Sequence, residues 1–128
     1  VLSTKDMNDG GHRYELFKSE MTDYELKPDV YFSDGQILEI ARHKIRIIHV
    51  PGHTPASSLL VMDEKIVFTG DSMIEGNKII TSFRGGNKDD MLYIAIPRLK
   101  QLPDDLMVLP GHGEPFRKEQ FDFNIYNV

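Results

Sequence analysis

Three apolar runs in this chain stop in the same way, and that repetition limits the folds open to it more than any other feature. Val50-Pro51-Gly52-His53-Thr54-Pro55, Phe68-Thr69-Gly70-Asp71 and Leu109-Pro110-Gly111-His112-Gly113 each lead a strand-like run into a glycine and then into a side chain able to bind a metal. Glycine lets the chain turn sharply and brings the backbone close to a bound ion. Strand ends are also where a sheet gathers its loops into one site. Taken singly, a histidine after Pro-Gly is ordinarily a surface turn residue, and Gly-Asp is ordinarily just a turn. The threefold recurrence at strand ends is what points to a metal site.

The donor types narrow the metal. With no cysteine in the chain, a thiolate site, a thiolate nucleophile and a disulfide framework are all excluded. Two imidazoles and one carboxylate suit zinc, iron or manganese and do not suit copper(I). A length of 128 residues implies one domain. The 40% hydrophobic and 27% charged composition is that of a globular chain, which sets aside disorder, collagen and coiled coil. Net charge is −5 and the fifteen basic residues are scattered, so no nucleic-acid partner is expected. The most apolar stretch, residues 45–50, is interrupted by Arg46 and His49, so no membrane span is expected. No signal peptide is visible, and the expected location is the cytoplasm. The chain opens on Val1 and runs straight into ordered-looking sequence, as it would if something upstream had been removed.

Along the chain, residues 1–4 read as the end of a strand, followed by a polar, glycine-rich turn with Asp9, Gly10 and Gly11. Tyr14, Phe17 and Met21 have a weak helical period. Residues 36–41 and 43–50 form one expected hairpin, turning near Arg42, and residues 57–62 and 66–68 a second, joined by Asp63-Glu64-Lys65. So short a turn leaves no room for the crossover that a parallel pair needs. Residues 71–88 read mostly as loop, with a short strand at 78–81. A helix is expected from about Asp89 to Leu102, with Leu92, Ala95, Ile96, Leu99 and Leu102 on one face and a kink or late start at Pro97. Residues 106–109 read as a buried strand, and the tail from Glu114 as a terminal helix or turn. His12, His43 and His49 lack the strand-glycine setting and are expected to be structural.

The order and separation of the three glycine motifs resemble the metallo-β-lactamase-fold hydrolases, nearest to the hydroxyacylglutathione hydrolase (glyoxalase II) type, over nearly the whole chain. The resemblance implies an α+β fold, the C-terminal part of an αββα sandwich, with a mostly antiparallel sheet and helices on one face. It implies His53 as a ligand of a first metal, Asp71 as the catalytic carboxylate bridging two metals, and His112 as a ligand of the second. The family's H-x-H-x-D-H motif is degraded here: Lys5, Met7, Asp9 and Gly10 stand where it has His, His, Asp and His, leaving Asp9 as a further ligand. The resemblance also implies that the family's first strands are missing from this chain, so residues 1–128 would be a single partial domain. Its exposed sheet face would then be covered by a second chain or copy, or the missing strands have been separated from this piece.

The implied function is metal-dependent hydrolysis of thioester or ester-like small-molecule substrates, with zinc as the cofactor, two ions in intact members, and iron or manganese as the other options. Ser82, Arg84 and Lys88 lie where a polar or anionic substrate group would bind. The rival readings are a non-hydrolytic diiron domain of the same fold and a structural domain with relict motifs.

Overall fold

Tight turns build the first half of the sheet. The computed structural model describes residues 27–126. Strand β1 (Ile37–Ile40) pairs antiparallel with β2 (His43–His49), and β2 with β3 (Ser58–Met62), which pairs with β4 (Ile66–Gly70). Ala41 and Arg42 have φ of 49° and 71°, and Asp63 and Glu64 both have 52°. Two successive positive-φ residues give the primed turn that matches the twist of the strands it joins. Side chains offset the strain in the second turn. Asp63 accepts from His43 Nδ1 at 2.6 Å and from the Lys44 amide at 2.9 Å, while Glu64 takes a two-pronged bond from Arg46 at 2.8 and 2.9 Å. The His43 bond, then the Lys44 amide, hold the Asp63 carboxyl below its ordinary range, and Arg46 does the same for Glu64.

The second half needs a crossover. β5 (Met107–Pro110) lies parallel to β4, and the short β6 (Phe116–Arg117) closes the order β1-β2-β3-β4-β5-β6. A parallel pair requires a long connection, here carried by the helical stretch 88–100, called α1. The helix packs on one sheet face: Met91, Ala95, Ile96 and Leu99 meet Val50, Leu59, Val61, Val67 and Val108 in one buried cluster. Asn87 caps its start, accepting from the amides of Asp89 and Asp90. Pro97 has no N–H and cannot complete a regular helical ladder. The chain accommodates it with a π-helical turn, Met91–Ala95, in which the Ile96 amide reaches back to Met91 O, and a regular helix resumes at Ile96–Lys100. At the far end the buried Lys118 bonds Lys100 O and Asp104, tying the tail to the helix terminus.

One expectation changes, one is met in part, and two fall on residues that are not described. Residues 78–81 are not a strand, because among the described residues the 78–82 segment bonds no other backbone group. The tail forms two 3-10 turns, Lys118–Gln120 and Phe123–Tyr126, in line with the expected terminal helix or turn, and adds the unexpected short strand β6. The strand read at 1–4 and the helical period at 14–21 lie outside the described residues.

Candidate metal centre

Topology brings three strand ends to one end of the sheet. β3 is antiparallel to both β2 and β4, so β2 and β4 run the same way, and β5 is parallel to β4. The C-termini of β2, β4 and β5 therefore share an end, and each runs into one of the glycine motifs. Two of these glycines leave no room for a side chain. A Cβ on Gly52 would stand 2.7 Å from Met91 Cβ, so the His53 loop seats directly on α1. A Cβ on Gly111 would stand 3.1 Å from Gly70 C and 3.2 Å from Asp71 Oδ1, so the two loops touch through backbone, with the Gly111 amide bonded to Gly70 O at 2.8 Å. The β4–β5 register shifts between Phe68 and Gly70. Buried Thr69 anchors that irregularity by donating to Met73 O at 2.9 Å. Such a shift at a strand end re-aims the residue that follows, here Asp71.

The structure brings His53, Asp71 and His112 together. His53 Nε2 is 3.1 Å from Asp71 Oδ2, and His112 Nε2 is 3.3 Å from Asp71 Oδ1, so each imidazole faces a different oxygen of one carboxylate. His53 Nδ1 lies 2.6 Å from Ile80 O. A carbonyl only accepts, so the ring proton belongs on Nδ1, and neutral His53 turns a lone pair toward Asp71. Two acceptors facing each other at this range repel unless a proton or a cation lies between them. Two donors held on one ion at about 2.0–2.2 Å stand about 2.8–3.6 Å apart, from right-angle to tetrahedral geometry, a range that takes in the 3.1 and 3.3 Å on the two sides of Asp71. The residues present thus fit a metal-bridging carboxylate with one imidazole on each side. They do not fit a complete site, because among the described residues no group of three His, Asp or Glu side chains could hold one ion.

Burial decides access. The His53 side chain is 13% exposed and packs edge-on against Phe83, with ring centroids 6.0 Å apart, whereas the His112 side chain is 59% exposed. The cluster opens on the His112 side.

Other candidates fall elsewhere. Asp9 lies outside the described residues. His43 is bonded to Asp63, and His49 Nε2 lies 2.7 Å from Pro55 O, so both serve the fold. Ser82 and Arg84 are exposed on the loop leading into α1, and Lys88 is exposed at its first turn. Sequence reasoning missed Ile80 O and Phe83 as neighbours of His53. A main-chain carbonyl carries no residue-type signal, and only the Ser82–Arg84 loop position hinted at Phe83.

The family model of the metallo-beta-lactamase superfamily matches residues 3–112. This chain belongs to that superfamily. Among its relatives, hydroxyacylglutathione hydrolase GloC of Haemophilus influenzae is 33% identical over 88 residues, covering 67% of this chain and 42% of that protein. The solved structure of ETHE1 from Myxococcus xanthus is 27% identical with a TM-score of 0.65, over 72% of this chain and 42% of that one. TTHA1623, solved in a di-iron-bound form, shares the metallo-β-lactamase fold at 22% identity and a TM-score of 0.63, over 84% of this chain and 54% of that one. The six-stranded, mostly antiparallel sheet with α1 on one face is part of that α+β sandwich. The chain spans about two-fifths of the length of the curated relatives it matches.

Proposed function

We propose that this chain carries part of the metal centre of a hydrolase acting on thioester or ester-like small molecules, with Asp71 as the bridging carboxylate and His53 and His112 as ligands on either side. The observation that carries the reading is the pair of imidazoles on opposite oxygens of Asp71. The likeness to GloC supports the thioester class. Two-fifths coverage of the relatives supports reading 1–128 as a single partial domain, with the remaining ligands and strands supplied from outside the described residues.

A divalent ion held here would polarise a scissile carbonyl and acidify a water. The chain's own residues supply placement. The Ile80 carbonyl fixes the His53 tautomer so that Nε2 faces the centre, a supporting bond of the kind that tunes ligand basicity and orientation. Phe83 and the seat of Gly52 on α1 keep that imidazole from turning. Asp71 keeps both oxygens engaged, and exposed His112 leaves the side from which a substrate enters.

With so few donors the chain is expected to bind zinc more weakly than micromolar and to hydrolyse a hydroxyacylglutathione thioester slowly. Calorimetric titration with zinc, iron(II) and manganese, run beside the thioester assay on wild type and Asp71→Ala, tests this. Binding that Asp71→Ala abolishes supports the centre, and binding indifferent to that change refutes it. Submicromolar affinity with brisk turnover would show that the reduced ligand set suffices.

A further inference from the structure

The tail that ends the described chain reaches back to the metal centre through a single peptide segment. Tyr126 lies in the last 3-10 turn, Phe123–Tyr126, and its hydroxyl oxygen accepts from the Ile79 amide at 2.9 Å. The next residue, Ile80, supplies the carbonyl that holds His53 Nδ1 at 2.6 Å. Among the described residues, 78–82 makes no backbone–backbone hydrogen bond, so these two side chains are its polar anchors. Ile79 is buried at 7% exposure, and an amide buried without an acceptor is costly, so the Tyr126 hydroxyl has a defined task. The tyrosine ring itself packs on the core cluster, which fixes where its oxygen stands. We propose that Tyr126 is a positioning residue for His53, setting the height of the Ile80 carbonyl and through it the tautomer and orientation of the imidazole.

The inference rests on the metal-centre reading for its functional meaning, but the bond relay can be tested without any metal. In the whole chain, long-range proton–nitrogen NMR of the imidazoles is expected to show His53 protonated on Nδ1, and amide exchange is expected to show Ile79 protected. Tyr126→Phe keeps the ring and removes the acceptor. It is expected to expose the Ile79 amide to exchange, to mix the two His53 tautomers, and to weaken zinc binding about tenfold. O-methyltyrosine at position 126 keeps an acceptor oxygen and is expected to restore the Nδ1-protonated form. A Phe variant that only melts earlier, with His53 and Ile79 unchanged, overturns the proposal. So does an Ile79 amide in wild type that exchanges at the unprotected rate, a result that needs no variant to fold. If zinc binding is indifferent to Asp71→Ala while the tautomer still responds to Tyr126→Phe, the metal-centre reading fails and the positioning role stands.

Discussion

Gly111 shows how much of the centre depends on an absent side chain. A methyl group there would press on Gly70 C at 3.1 Å and on Asp71 Oδ1 at 3.2 Å, and neither the backbone of β4 nor the carboxylate can move without disturbing the cluster. Gly111→Ala is therefore expected to cost about 1–3 kcal/mol in urea unfolding, as overpacking does, and to weaken zinc binding by displacing Asp71. Gly76→Ala is the comparison: its φ is +72° but nothing lies within 4 Å, so it should show backbone strain of about 1 kcal/mol and no change in zinc affinity. Equal effects from the two substitutions would mean that the Gly70–Gly111 contact is not a constraint. At this scale the sequence was informative about donors, since His53, Asp71 and His112 stood out by residue type and setting. It was silent about Ile80, whose part is played by a carbonyl that every residue has.

Among the elements, α1 is the one whose details the sequence half reveals. Asp89-Asp90 marked the start and the apolar face was readable, and Asn87 just upstream caps both acidic residues' amides. Asn87→Ala leaves those amides to water and is expected to lower stability by about 1 kcal/mol, read as a shift of the urea midpoint at constant slope. Asn87→Asp, which keeps the acceptor, should shift it little. The Asn87 amide also bonds Gly52 O at 2.8 Å, so the cap sits where the helix meets the His53 loop. An Asn87→Ala midpoint equal to wild type would show that the cap is not what holds this junction. Pro97 announced an irregularity, but not its form. A missing N–H can be met by a kink, a late start or a π turn, and packing of Met91 under Gly52 belongs to the arrangement with the π turn.

On the scale of the whole molecule, the sheet is unequal on its two sides. Among the described residues one face is covered by α1, whereas the other pairs Ile45 with Met62, Ile47 with Leu60, and Phe68 with both Leu60 and Leu109, an apolar surface on which Ile47 is buried, Ile45, Leu60, Met62 and Leu109 are half-buried and Phe68 is 38% exposed. Apolar sheet faces of this kind favour association. The isolated chain is expected to self-associate in sedimentation velocity at tens of micromolar, and Phe68→Lys is expected to shift it toward monomer; identical profiles would show that this face does not mediate contact. Both hairpins, with their turns at Arg42 and Asp63-Glu64, were determined by the sequence alone, because alternation and turn chemistry act between residues a few positions apart. So were the three glycine stops and the donor types behind them. Only the tertiary structure decided that both imidazoles meet one carboxylate, that residues 78–82 give up a ladder for bonds to Tyr126 and His53, and that the tail supports the centre. Those facts depend on pairing β4 with β5 across the long crossover through α1, and contacts made at that separation leave no local period for a sequence to display.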